Sequence, residues 1–125
     1  MSLSEYFENT EGEGILATAD ADGNPDLAVY ARPHMVDDET LILIMAQKRS
    51  YANLQSNPKA SYMFIEKGEG YKGKRLYIRK TDEETDPDKV QGLRRRKREV
   101  AECDAATGSR AVTFTIDRVR PLVDE

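Results

Sequence analysis

The sequence predicts a small, mainly β protein: an antiparallel barrel of about six strands with two or three short helices. Two observations carry this. Runs of strand length, apolar or alternating, recur along the 125 residues and are bounded by Gly, Pro, Asn and Asp. Helix character is confined to short stretches placed between strands, which is not the regular strand–helix alternation of a βαβ array.

Each element has a local reason. Leu3 to Asn9 makes one or two helical turns with Ser2 or Ser4 as cap. Gly12 and Gly14 are expected to break the chain, and Ile15 to Asp20 to form a short strand. Asp20-Ala21-Asp22-Gly23-Asn24-Pro25 is dense turn chemistry with an Asp-Gly hairpin signal. Leu27 to Val36 is the returning strand, with Leu27, Val29 and Ala31 on one face and Ala28, Tyr30 and Arg32 on the other. Pro33 marks an edge, bulge or bend in it. Thr40 to Ala46 is a continuous apolar strand and predicts burial on both faces. Ser50 to Gln55 is a short helix with Ser50 as N-cap, stopped at Asn57-Pro58. Ala60 to Glu66 and Arg75 to Thr81 are strands around a flexible turn, Gly68 to Gly73. Pro87 opens a charged helix from about Asp88 to Cys103, and Arg110 to Val119 is the last strand.

Composition narrows the function classes. Hydrophobic residues make up 38% and charged residues 34%, a polar but foldable balance in the size range of one domain, 1–125. Nineteen basic against 23 acidic residues give a net charge of −4, which removes a globally basic nucleic-acid binder as the default. The longest apolar run, Leu41 to Ala46, is far short of a membrane span. Met1 to Asn9 lacks the marks of a signal peptide, so a cytoplasmic location is expected. One cysteine, Cys103, removes an intramolecular disulfide scaffold, and one histidine, His34, removes a His-rich metal site. A core this small makes a dimer unsurprising.

Four candidate sites follow. Gly68-Glu69-Gly70-Tyr71-Lys72-Gly73 is a literal G-x-G-x-x-G, but Leu76-Tyr77-Ile78 after it reads as a strand, so a hairpin is expected and not a dinucleotide site. Arg94-Arg95-Arg96-Lys97-Arg98 could meet RNA or an acidic partner; a solvated helix face is the plainer reading. Cys103 lies between Glu102 and Asp104, which oppose activation of its thiol, and His34 reads as a hydrogen-bonding histidine near a site rim. In Gln47-Lys48-Arg49-Ser50-Tyr51-Ala52-Asn53 a strand ends and two cations and a hydroxyl begin a helix. That is a sound phosphate site, and equally an ordinary charged loop with a capping serine.

The order of these pieces resembles the pyridoxamine 5′-phosphate oxidase-like family of FMN-binding split barrels, closest to its small single-domain FMN-binding proteins. The matching pieces are Gly14 to Ala19, Asp22-Gly23-Asn24-Pro25 with Leu27 to His34, and Lys48 to Leu54 followed by Asn57-Pro58. The resemblance implies a six-stranded antiparallel split β-barrel that forms a homodimer, with FMN in a groove at the dimer interface. It implies that Arg49 and Ser50 hold the 5′-phosphate with Lys48 adding charge, and that Asn53 anchors the same loop or reaches the ribityl chain. Val29, Tyr30, Ala31 and Arg32 would run beside the isoalloxazine ring, Arg32 stabilising negative charge on the reduced flavin. Relatives bind haem or a deazaflavin instead; here haem would have to rest on His34. The C-terminal substrate-phosphate residues of true pyridoxamine 5′-phosphate oxidases have no match in Arg118 to Val123, and no tryptophan is present to stack on a flavin. The expected function is therefore an FMN-using oxidoreductase or electron carrier, or a protein that stores or senses flavin. The alternative is a non-catalytic barrel that binds RNA or an acidic partner through its basic helix.

Overall fold

The computed structural model describes residues 2–94 and 109–123. Seven antiparallel strands form one sheet in the order β2-β1-β5-β6-β7-β4-β3. The strands are β1 (Gly12–Ala19), β2 (Pro25–Tyr30), β3 (His34–Asp37), β4 (Thr40–Met45), β5 (Lys59–Glu66), β6 (Gly73–Glu84) and β7 (Arg110–Pro121). Three helices accompany them: α1 (Leu3–Asn9), α2 (Arg49–Ser56) and α3 (Pro87–Arg94).

The seventh strand comes from a break in the predicted run Leu27 to Val36. It is not one strand: its first half, β2, and its second half, β3, lie at opposite edges of the sheet. Pro33 lacks the N–H that would continue a ladder and holds Arg32 extended, so the chain leaves one edge and joins the other across Ala31 to Pro33. This switch is the split of the barrel.

Gly12 and Gly14 do not break the chain. Both lie within β1, because the barrel needs their missing side chains: a Cβ on Gly14 would run into the Tyr62 phenol and the Tyr30 carbonyl, and one on Gly12 into Phe64 and the Ile65 carbonyl. β4 is buried on one face only, through Leu41, Leu43 and Met45, while Thr40, Ile42 and Ile44 are half-covered, as suits an antiparallel sheet with a partly wet outer face. The interior brings these together with Leu16, Tyr62, Phe64, Leu76, Ile78, Val112 and Phe114. Phe7 of α1 stacks edge-on against Phe64 with ring centres 5.2 Å apart. α1 is closed by a capping box, Ser2 and Glu5 each accepting from the other's backbone N–H at 3.1 Å.

The turns follow their predicted chemistry. Asp20 Oδ1 accepts from the backbone N–H of Asp22 and Asn24, both at 2.9 Å, and Gly23 takes φ 89°. The G-x-G-x-x-G stretch is the loop between β5 and β6, with Gly68 and Gly70 at positive φ and a strand following, not a helix. The long strands β6 and β7 pair as far as Glu84 with Ala111, and Met45 pairs with Arg110. The β6–β7 connection therefore leaves and re-enters the sheet at the end of β4, where α2 begins. The predicted helix beyond Arg94, with Arg95 to Arg98 and Cys103, lies outside the described residues.

Candidate functional site

The start of α2 joins the end of β4 to a helix lying against β1 and β2. The N-cap is Lys48, in extended conformation (φ −121°, ψ −152°), and its side chain makes no capping hydrogen bond. Ser50 is therefore not the N-cap; it stands in the first turn, where the chain enters the helix two residues earlier than the capping preference of serine suggests. The first intrahelical bond runs from the Ala52 N–H to the Lys48 carbonyl at 2.9 Å, so the N–H groups of Arg49, Ser50 and Tyr51 precede it. Lys48 and Arg49 are exposed, while Ser50 and Asn53 are buried at 5% each.

The two buried residues hold the helix. Asn53 Nδ2 donates to Thr18 Oγ1 at 3.0 Å, joining α2 to β1. The Ser50 side chain hydrogen-bonds the Tyr30 phenol of β2. Burial pushes that phenol up to about 12, against which the Ser50 bond pulls the other way. Leu54, 3% exposed, supplies the apolar contact on the same side. Thus four of the eight residues expected at a cofactor site gather at α2, two as exposed cations and two as fastenings, with Tyr30 beneath them.

The residues at the end of β2 and just after it divide by exposure. Val29 is 80% exposed and Ala31 is also exposed, whereas Tyr30 and Arg32 turn toward the barrel. The Ala31 carbonyl accepts from the Tyr62 hydroxyl at 3.0 Å, so that backbone acceptor is already engaged. Arg32 is drawn to the C-terminal end of α1: its Nη1 donates to the carbonyls of Phe7 at 3.0 Å and Thr10 at 3.1 Å. It completes a helix end and complements its dipole, a partnership separated by over twenty residues of sequence and invisible in it. His34 is buried, 7% exposed, on the edge strand β3.

A second cluster meets the other flank of α2. The Tyr51 hydroxyl donates to Glu83 Oε2 at 2.5 Å and Lys80 Nζ donates to Glu83 Oε1 at 2.7 Å. Arg110 Nε stands 3.9 Å from the same carboxylate. Partial burial alone would raise the Glu83 carboxyl, but hydrogen bonds from Lys80, Tyr51 and Gln55 outweigh it and hold it below the ordinary range. Burial, and then Glu83, push the Tyr51 phenol up. Of these residues only Tyr51 stood in a motif; Glu83, Lys80 and Arg110 come from distant strands, and no local pattern signals them.

Two hollows of about 460 and 470 Å³ lie elsewhere, one beside Tyr6 and Lys74, the other beside Tyr71 and Gly73, and neither takes in a residue of α2 or β2. No group of His, Cys, Asp and Glu suited to a metal ion occurs among the described residues, and no helix there is long and apolar enough to cross a membrane.

A split antiparallel barrel with a cationic helix start on its rim defines the class. The chain belongs to the pyridoxamine 5′-phosphate oxidase family, whose pattern it matches over residues 5–122. Among solved structures it is similar to an FMN-binding protein from Syntrophomonas wolfei subsp. wolfei, with a TM-score of 0.81 at 18% identity over 98% of this chain and 84% of that one. It is also similar to an F420 reductase (TM-score 0.75, 21% identity, 96% of this chain and 98% of that one). A third likeness is to HupZ of Group A Streptococcus (TM-score 0.73, 17% identity, 96% and 90%). At these identities the likenesses show the fold alone. No curated protein matches the chain.

Proposed function

We propose that this protein binds FMN, with the phosphate at the start of α2, and acts as an FMN-dependent oxidoreductase or electron carrier in homodimeric form. One observation carries the reading. Lys48 and Arg49 sit, exposed, at the positive end of a helix whose N-cap side chain makes no capping hydrogen bond. Cations there cost on the order of 0.3–1 kcal/mol each, and the first-turn N–H groups add to the positive field. A phosphate reverses the sign of both effects, since it accepts from the N–H groups and pairs with the cations. The donor set thus fits the phosphate end of FMN.

Each residue then has a task. Lys48 and Arg49 neutralise the phosphate. Ser50 and Asn53, through Tyr30 and Thr18, hold the helix against β2 and β1 so that its N–H groups point consistently. Val29 of β2 and Ala31 just after it offer a flat apolar margin for the ring. When bound, FMN supplies the redox chemistry, and no side chain has to act as nucleophile or general base. A second copy would supply a further wall for the cofactor. Leu27 and Val29, 70% and 80% exposed on the edge strand β2, are apolar surface fit for such a contact. The Syntrophomonas wolfei relative, described as FMN-binding, supports the choice of flavin. A deazaflavin is the second reading, on the likeness to an F420 reductase.

The test is titration of apoprotein with FMN and with riboflavin, following flavin fluorescence. Saturable binding of FMN at one per subunit, tighter than riboflavin and weakened at least about tenfold in Lys48→Ala/Arg49→Ala, is expected from the loss of two charge-assisted contacts. Absence of saturable FMN binding overturns the reading.

A further inference from the structure

α2 is fastened on two flanks, and one of them is more elaborate than holding a short helix requires. Toward β1 and β2, the Asn53–Thr18 bond, the Ser50–Tyr30 bond and buried Leu54 already dock it. Toward β6 and β7, Tyr51 reaches a carboxylate shared with Lys80, while the Lys80 ammonium lies 5.7 Å from the centre of the Tyr51 ring. The side chains of Lys80, Glu83 and Arg110 are only 16–24% exposed, so the charges are partly desolvated. Such a cluster contributes little to net stability but fixes geometry closely.

Its placement says what that geometry serves. Tyr51 is the third residue of α2, so its own backbone N–H belongs to the first turn and precedes the first intrahelical bond. Arg110 pairs with Met45, the last residue of β4, and so borders the short link to Lys48. Arg110 Nη1 donates to the Ser109 carbonyl at 3.3 Å, and its buried Nε, 3.9 Å from the Glu83 carboxylate, has no hydrogen-bond partner among the described residues. One acid among two cations also leaves the cluster positive, which keeps Glu83 from repelling an anion at the helix start.

We propose that Tyr51, Glu83, Lys80 and Arg110 form a positioning latch. The latch fixes the first turn of α2 for a bound phosphate and thereby sets a preference for phosphorylated over unphosphorylated flavin. It rests on the phosphate site proposed above and assigns four residues that act on that site through the helix.

Tyr51→Phe and Glu83→Gln, each nearly isosteric, test it by parallel titration with FMN and riboflavin. The latch gives a loss of about tenfold in FMN affinity in each variant, of the size expected for one charge-assisted hydrogen bond, with riboflavin affinity unchanged. Glu83→Gln adds a test of sign. Removing a negative charge beside the site would, by Coulomb attraction alone, tighten FMN; the latch requires that it weaken. Unchanged or tighter FMN binding in Glu83→Gln overturns the proposal, as does an equal loss for both flavins, which would mark a role in folding only. Should one variant fail to fold, the other carries the same comparison. Wild-type protein with no preference for FMN overturns the phosphate site itself. A wild-type preference lost in Lys48→Ala/Arg49→Ala but kept in both latch variants overturns the latch alone.

Discussion

At the scale of single residues, several side chains do work that only the folded chain reveals. Gly14 is a place where an added methyl has nowhere to go, because the Tyr62 phenol and the Tyr30 carbonyl fill the space. Gly14→Ala is expected to cost about 1–3 kcal/mol by overpacking, read from chemical denaturation. Arg32 holds the end of α1, so Arg32→Ala is expected to lower stability by about 1–2 kcal/mol through lost hydrogen bonds to carbonyls and lost compensation of the helix dipole. The tyrosines set an alkaline limit. Tyr30 is pushed up to about 12, and burial also raises Tyr6 and Tyr62 above the ordinary value of 10. A phenol that ionises more readily unfolded than folded contributes stability below pH 10, and that contribution is lost as the pH climbs toward the folded value. Unfolding followed between pH 9 and about 12 should therefore show stability falling above 10, with phenolate absorbance arriving late.

At the scale of elements, α2 concentrates the argument. It is eight residues long, too short to persist on its own, so its contacts decide where its N–H groups point. Glu83 is held below its ordinary value of 4.5, so the stability it lends is present above that value and fades as the pH falls through the folded one. Glu83→Gln is expected to flatten the acid limb of the stability profile, measured by thermal unfolding as pH is lowered. The sequence is informative about α2 because Asn57-Pro58 and the cation pair are local signals. The turns Asp20 to Pro25 and Gly68 to Gly73 are equally legible, because their conformations depend on residues within five positions of one another. Contacts between distant parts of the chain are not. Nothing local says that β2 and β3 go to opposite edges, that β1 needs glycine because Tyr62 is across from it, or that Arg32 belongs to α1. Ser50 misled for a similar reason: a serine at a helix start is ordinarily a cap, and its burial against Tyr30 is a tertiary fact.

At the scale of the whole molecule, the proposed dimer places the sharpest demand on the surface. Leu27 and Val29 stand outward on an edge strand, the arrangement that invites a partner. Leu27→Glu/Val29→Glu is expected to convert a dimer to a monomer in sedimentation velocity and to weaken FMN binding with it, while the isolated chain keeps its fold. The connection between β6 and β7 has a further meaning. Its two ends, Glu84 and Arg110, are anchored beside the rim where Lys48 and Arg49 stand. Residues added to or removed from that connection change no strand register, since the ladder closes at Glu84 and Ala111 before the chain departs. The ladder is thus complete before the chain departs, so a change in the length of this connection is expected to leave the sheet intact beside the proposed phosphate site.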